Sequence, residues 1–121
     1  MAKILIVDDS ALSRRMMRGI LEQDGHEVVE AQDGLMALEK FSLEQPDLVT
    51  LDMTMEGMHG LEVLEEIRKL DPNARVLGAS ADIQEFTKQL FFEKGGKGFI
   101  SKPFESERVL NTVGNALEGG S

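Results

Sequence analysis

Aspartates that follow short apolar runs are the residues of this sequence best suited to chemistry. Asp52 ends the run Leu48–Leu51, and Asp8 and Asp9 follow the run Lys3–Val7. A partly β-branched run of this length predicts a strand that is buried on both faces. Such a strand delivers its last residue to the carboxyl edge of a parallel sheet, where ligands bind in open α/β folds. Carboxylates at that edge could bind a cation or attack an electrophile.

These groups also have structural interpretations. Asp52 could be a solvated residue that opens a loop, and Asp9 and Ser10 could cap a following helix. Jointly these interpretations are improbable, because close carboxylates repel by about 4 kcal/mol per pair at an effective dielectric constant of about 20. A cluster of three carboxylates therefore indicates a functional site.

The composition limits the possible functions. A chain of 121 residues with 41% hydrophobic residues fits one domain with its own core. Its 22 acidic and 13 basic residues give a net charge of −9, which disfavours nucleic acid, since phosphate binding relies on Lys and Arg. The sequence contains no cysteine, which excludes disulfides, thiolate metal sites and thiol redox chemistry.

Zinc and membrane association have little support. Only His26 and His59 could supply imidazole ligands, and a lone surface histidine is usually structural or solvated. The run Ile4–Val7 is too short for a secretory signal, and no run reaches membrane-spanning length. We therefore expect a cytoplasmic protein with neither a membrane nor a nucleic-acid partner.

Short apolar runs alternate with stretches of helical periodicity along the chain. The runs predict five strands at Lys3–Val7, Glu27–Ala31, Leu48–Asp52, Arg75–Ser80 and Gly98–Ser101. Apolar residues at helical spacing predict five helices, marked by Leu12, Met16 and Ile20; by Leu35, Leu38 and Phe41; by Leu61, Leu64, Ile67 and Leu70; by the segment Ile83–Lys94; and by Leu110, Val113 and Leu117.

This alternation requires right-handed parallel crossovers with helices on both faces of the sheet. We therefore predict an α/β domain, a three-layer, doubly wound (βα)5 sandwich of the flavodoxin-like type with a five-stranded parallel sheet. The domain is expected to span residues 1–118, with 119–121 as a disordered tail or an expression remnant. All strands point the same way, so one edge should collect five polar groups: Asp8, Asp9, Asp52, Ser80 and Lys102.

With these motifs in order, the whole chain resembles the receiver domain of two-component response regulators, in its single-domain, CheY-like form. The resemblance rests on four segments: Ile6 to Ser10, Leu51-Asp52 with Gly57 to Gly60, Ala79 to Ala81, and Phe99 to Phe104. It implies that Asp52 is the phosphoacceptor and that Asp8 and Asp9 hold magnesium. It also implies that Ser80 is the switch hydroxyl, that Lys102 contacts the phosphoryl group and that Phe99 is the switch aromatic.

The resemblance further implies a mechanism and partners. Phosphoryl transfer to a carboxylate needs charge neutralisation, which Mg²⁺ (or Mn²⁺) and Lys102 would supply. Asp9, Asp52 and the backbone carbonyl of Thr54 would bind the metal, and Asp8 would hold one of its waters. Lys102 is expected to pair with Asp52 at rest. The phosphoryl donor would be a sensor histidine kinase or a phosphotransfer protein, and a downstream protein would bind the surface formed by the fourth helix, fifth strand and fifth helix.

On this view the protein is no conventional enzyme, but a signalling phosphoacceptor, such as one in chemotaxis, that assists its own phosphorylation and dephosphorylation. It would be a monomer or a weak dimer. Thr54 and Asp82 occupy the positions that tune hydrolysis in the family. Glu56 departs from the family pattern, in which proline is usual, and adds a negative charge beside an acidic pocket.

Three alternatives remain open. The chain could be a receiver excised from a larger regulator. A flavodoxin-like electron carrier shares the fold but needs a hydroxyl-rich phosphate loop and aromatic rings for flavin, and this chain has neither Trp nor Tyr. A phosphatase with an aspartate nucleophile would normally carry Asp-x-Asp on one loop, which is absent after Asp52.

The fourth predicted helix has more apolar residues than one face can hold. Periodicity places Ile83, Phe86 and Leu90 together, whereas the family alignment turns Phe92 and Gln89 toward the sheet. That alignment also puts Phe91 where a small residue is usual. We therefore expect at least one of Phe86, Leu90 and Phe92 to be mostly exposed.

Overall fold

A computed structural model describes residues 1–55 and 59–118. Its single sheet contains five parallel strands in the order β2-β1-β3-β4-β5, and this order confirms the predicted doubly wound fold. The central strands β3 and β4 are buried along their whole length, as their uninterrupted apolar runs predict. The strands are β1 (Lys3–Val7), β2 (Glu27–Ala31), β3 (Leu48–Asp52), β4 (Val76–Ser80) and β5 (Gly98–Ser101).

In the described part of the chain, five helices cover the two faces of this sheet, and each face has its own core. On one face, the sheet packs with Phe41, Leu64 and Phe91 from the second, third and fourth helices. On the other, it packs with residues of the first and last helices, including Met17 and Val113. The helices are α1 (Ala11–Gln23), α2 (Gly34–Glu44), α3 (Gly60–Leu70), α4 (Glu85–Glu93) and α5 (Ser106–Leu117).

The strand register places the ends of neighbouring strands side by side. Val7 lies opposite Leu51, Asp52 opposite Ala79, and Ser80 opposite Ser101. The residues at or just past the ends of β1, β3, β4 and β5 therefore meet at one edge of the sheet, as predicted.

Several predicted boundaries and faces are wrong. β4 begins at Val76 rather than Arg75, and α4 spans Glu85–Glu93 rather than Ile83–Lys94. In α1 the buried residues are Met17 and Leu21, while two of the predicted marker residues, Leu12 and Met16, are exposed. Leu35 and Leu70 are exposed in the same way. Spacing alone identified the helices and marked the buried residues Phe41, Leu64, Ile67 and Val113 correctly, but it chose the wrong face for α1. The inward face depends on how each helix docks on the sheet.

Helix α4 takes neither of its two predicted orientations. Phe91 is fully buried, Phe86 is 69% exposed and Phe92 is 43% exposed. A Cβ atom at Gly96 would lie 1.9 Å from the Phe91 ring, so the ring occupies space that any other residue at position 96 would fill. Phe91, at a position where the family usually has a small residue, therefore defines the face of α4 that packs against the sheet. The expectation that one of Phe86, Leu90 and Phe92 is mostly exposed is confirmed by Phe86.

Within the described residues, no helix combines the length and the apolar character needed to cross a membrane. The predicted tail at 119–121 and the departure at Glu56, together with Gly57 and Met58, lie outside the described residues.

Candidate functional site

Asp52 is the last residue of β3, and its carboxylate is almost completely buried. One oxygen, Oδ1, accepts hydrogen bonds from the backbone N–H of Thr54 at 2.9 Å and from the Thr54 hydroxyl at 2.8 Å. The other, Oδ2, lies 3.6 Å from Nζ of Lys102. The two oxygens therefore have different partners, and the nucleophile candidate is held in one orientation.

Asp8, just after β1, is also buried and has its own two partners. Its Oδ1 accepts a hydrogen bond from the backbone N–H of Ser10 at 2.9 Å, and its Oδ2 accepts one from Nζ of Lys102 at 3.0 Å. The expected pairing of Lys102 with Asp52 is present, but Asp8 is the nearer partner. The loop after β5 thus places one ammonium group between two buried carboxylates.

Burial raises the pKa of the Asp8 carboxyl above its ordinary value, and the charge of Asp52 adds to this effect. Hydrogen bonds from the Ser10 N–H and from Lys102 act in the opposite direction but do not outweigh burial. Burial therefore destabilises the ionised form of Asp8, and a bound cation would offset part of that destabilisation.

The donor set suits a hard divalent cation. Asp8, Asp9 and Asp52 each offer a carboxylate oxygen, and these oxygens lie within 4.8 Å of one another. Asp9 is exposed while the other two are buried, so the cluster opens to solvent on one side. Magnesium prefers oxygen ligands and keeps several waters, and both requirements are met by this arrangement.

The structure distinguishes Ser10 from Asp9. The Ser10 hydroxyl accepts a hydrogen bond from the backbone N–H of Ser13 at 3.2 Å and caps α1. The capping interpretation is thus correct for Ser10, whereas Asp9 precedes the cap and belongs to the acidic cluster.

Ser80 ends β4 at the same edge and is buried. Its hydroxyl oxygen accepts a hydrogen bond from the backbone N–H of Asp82 at 3.2 Å, and its carbonyl oxygen accepts one from the N–H of Lys102 at 3.1 Å. Asp82 and Thr54 are both exposed at the rim. Sequence reasoning assigned Thr54 as a metal ligand through its carbonyl and as a residue that tunes hydrolysis, but it missed the hydroxyl contact with Asp52, which no spacing pattern signals.

Phe99 lies on β5 beside this edge and is half-buried. Its ring covers Gly78 on β4, where a Cβ atom would lie 2.8 Å from the ring. The ring packs edge-on against Phe91 at 4.8 Å between centroids and against Phe92 at 6.0 Å. Nζ of Lys88 lies 5.8 Å from the Phe99 centroid. The aromatic residue implied by the family resemblance is therefore in direct contact with helix α4.

Arg14 is a site neighbour that sequence reasoning did not single out. Its Nη1 donates a hydrogen bond to the backbone carbonyl oxygen of Asp8 at 2.7 Å. In the sequence it is one of several arginines on a helix, and nothing in their spacing marks one as inward.

Comparisons with known proteins agree with this geometry. The model of the family described as response regulator receiver domain matches residues 4–114. Chemotaxis protein CheY of Bacillus subtilis (strain 168) is 44% identical over 116 residues, covering 95% of this chain and 97% of the relative. Sporulation initiation phosphotransferase F of the same organism is 35% identical over 115 residues, covering 92% and 90%. The solved structure of Vibrio cholerae chemotaxis protein CheY4 has a TM-score of 0.92 at 32% identity, covering 96% of this chain and 98% of that one.

Proposed function

This chain belongs to the response regulator receiver domain family, and from that premise we propose that Asp52 is the residue that accepts the phosphoryl group. One observation carries the proposal. A buried carboxylate at the end of β3 lies 3.6 Å from a lysine ammonium and shares a cluster with two further carboxylates. Phosphoryl transfer requires such a nucleophile beside concentrated positive charge.

The donor is a phosphohistidine on a sensor histidine kinase or a phosphotransfer protein. A carboxylate oxygen of Asp52 forms a bond to phosphorus while the phosphorus–nitrogen bond breaks, and the imidazole leaves with the electron pair and takes up a proton. Asp52, Asp9 and the carbonyl of Thr54 would hold Mg²⁺, or Mn²⁺ in its place, with Asp8 retaining a water. When bound, the ion neutralises charge on the phosphoryl oxygens.

Lys102 and Ser80 complete the site. The ammonium of Lys102 lies close enough to Asp52 to pair with an added phosphoryl group, and its alternative partner Asp8 would then be left to the metal. Among the described residues, the only hydrogen bond of the Ser80 hydroxyl is the one that it accepts from the Asp82 N–H. The hydroxyl can therefore rotate and donate to the oxygens of the added phosphoryl group.

The output is a conformational change transmitted through Phe99. Movement of Ser80 would open space beside Phe99, whose contacts with Phe91 and Phe92 couple it to α4. The surface of α4, β5 and α5 would then present a different face to a downstream protein. The protein acts as a signalling phosphoacceptor rather than a conventional enzyme. Similarity to proteins named for chemotaxis supports that process as the setting.

The decisive experiment is phosphorylation by acetyl phosphate with magnesium, followed by intact-mass measurement. Wild type should gain one phosphoryl group, and Asp52→Asn should gain none, since an amide is not the required nucleophile. Asp71→Asn is a matched control, because Asp71 is exposed and its Oδ1 contact with the Asn73 N–H can survive the change. Unchanged labelling of Asp52→Asn would refute the assignment.

The same assay tests the proposed tuning residues. Thr54→Val removes the hydroxyl that donates to Asp52, while Thr54→Ser retains one. The rate at which the phosphoryl mass is lost should change in Thr54→Val and in Asp82→Ala, and should stay near the wild-type rate in Thr54→Ser. Identical lifetimes in all four proteins would contradict a tuning role.

A further inference from the structure

Arg14 joins the loop that carries Asp8 and Asp9 to the neighbouring strand β2. Its Nη1 donates to the Asp8 carbonyl oxygen at 2.7 Å, and its Nε donates to Oε1 of Glu30 at 2.9 Å. The Arg14 side chain is only 16% exposed. Because the Asp8 carbonyl belongs to the peptide that leads into Asp9, the guanidinium holds the backbone from which the Asp9 carboxylate projects.

Glu30 in turn fixes the guanidinium. Its second oxygen accepts a hydrogen bond from Nε of Arg18, whose Nη1 donates to Glu22 at 2.8 Å. Burial raises the pKa of Glu30, but the hydrogen bonds from Arg18 and Arg14 outweigh it and leave this pKa below its ordinary value. Glu30 is therefore ionised at neutral pH, and the Arg14 guanidinium donates hydrogen bonds to both the Glu30 carboxylate and the Asp8 carbonyl oxygen.

We propose that Arg14 is a positioning residue for the divalent cation that the acidic cluster would hold, an inference that rests on the proposed function of that cluster. Asp9 is the exposed member of the cluster, so the direction of its carboxylate depends on the backbone that carries it. The planar fork of arginine donates in two fixed directions at once, whereas a lysine ammonium is a flexible point charge and cannot reproduce both contacts.

The sign of the effect separates positioning from charge. A cation near the cluster repels Mg²⁺, so a residue that acted only through its charge would weaken metal binding, and its removal would tighten it. A residue that orients the ligands strengthens metal binding, and its removal weakens metal binding. Loss of an outer partner of a metal ligand typically weakens metal binding by about 10-fold or more.

The test compares Arg14→Met, Arg14→Lys and Arg15→Met in the full chain by calorimetric titration with Mg²⁺. Arg15 is the matched control, since it is adjacent and exposed and its loss removes the same charge. Both Arg14 variants should bind Mg²⁺ about 10-fold more weakly, and Arg15→Met should bind it at least as tightly as wild type. Unchanged or tighter binding by Arg14→Met would overturn the proposal.

A second measurement needs no metal and no phosphorylation. The Ser10 N–H is bonded to Asp8 in the loop that Arg14 holds, so its hydrogen exchange in metal-free protein should accelerate in Arg14→Met but not in Arg15→Met. If Arg14→Met does not fold, Glu30→Met removes the acceptor of the Arg14 Nε hydrogen bond, releases the same guanidinium from β2 and should also weaken Mg²⁺ binding; wild-type affinity in Glu30→Met would then overturn the proposal.

The two proposals fail in different ways. If wild type binds Mg²⁺ and becomes phosphorylated while Arg14→Met binds Mg²⁺ equally well, the role of Arg14 is wrong and the proposed function stands. If wild type itself binds no Mg²⁺, the proposed metal site is wrong and the role of Arg14 fails with it.

Discussion

Lys102 lies nearer to Asp8 than to Asp52: its Nζ is 3.0 Å from Oδ2 of Asp8 and 3.6 Å from Oδ2 of Asp52. One ammonium therefore serves two buried carboxylates and leaves Asp9 to solvent or to a metal. The balance of charge among the buried groups of the site therefore depends on the single side chain of Lys102.

Lys102→Met should lower the free energy of unfolding of the metal-free protein by about 2 kcal/mol at neutral pH, because two buried carboxylates lose their cation. The same variant should bind Mg²⁺ more tightly, since a competing positive charge is gone. Urea denaturation with chelator and a Mg²⁺ titration measure the two effects. Lys97→Met, an exposed control, should stay within about 0.5 kcal/mol of wild type. Equal stability of Lys102→Met and Lys97→Met would contradict the argument.

Magnesium should stabilise the resting domain, because it relieves repulsion among Asp8, Asp9 and Asp52 and binds only the folded cluster. At about ten times its dissociation constant, the gain is about 1.4 kcal/mol. Thermal melts with magnesium and with chelator should therefore differ by a few degrees, and Asp9→Ala should remove the difference. Superimposable wild-type melts under the two conditions would count against the site.

Asp8 should make the metal-free domain less stable as the pH rises. Its carboxyl pKa is raised above 3.8 by burial, so its contribution to stability is full below 3.8 and is lost as the pH rises through the higher folded-state value. Asp8→Asn mimics the protonated form and should gain stability relative to wild type as the pH rises above 3.8. Urea denaturation across this range, with chelator, measures the gap. A gap that is constant with pH would show that the Asp8 pKa is not raised.

The aromatic residues of α4 should differ sharply in their contribution to stability. Phe91→Ala should cost about 3 to 5 kcal/mol, since it empties a fully buried site. Phe86→Ala should change stability by no more than about 0.5 kcal/mol, because that ring is mostly in solvent. Gly96→Ala should also destabilise, as its methyl group would overlap the Phe91 ring. Similar losses for Phe86→Ala and Phe91→Ala in urea denaturation would refute the observed orientation of α4.

The sequence alone determined the architecture and the edge at which the site forms. Strand-length apolar runs that end in Asp52 and Ser80 specify buried parallel strands. Parallel strands bring their carboxyl ends to one edge of the sheet, regardless of which face each helix turns toward it. The side chains that gather there, including Asp8 and Lys102, were predictable for this reason.

Tertiary packing decided the rest. Periodicity defines the faces of a helix but not which face packs against the sheet. In α1, Met17 is buried, although periodicity predicted Leu12 and Met16 for the inward face. In α4, Phe91 is buried, and neither of the two predicted orientations is observed. The preference of Lys102 for Asp8, the bond from the Thr54 hydroxyl to Asp52 and the bond from Arg14 to the Asp8 carbonyl oxygen are contacts of a few ångströms. Such contacts depend on side-chain direction and on the docking of whole elements, which a pattern of residue types does not encode.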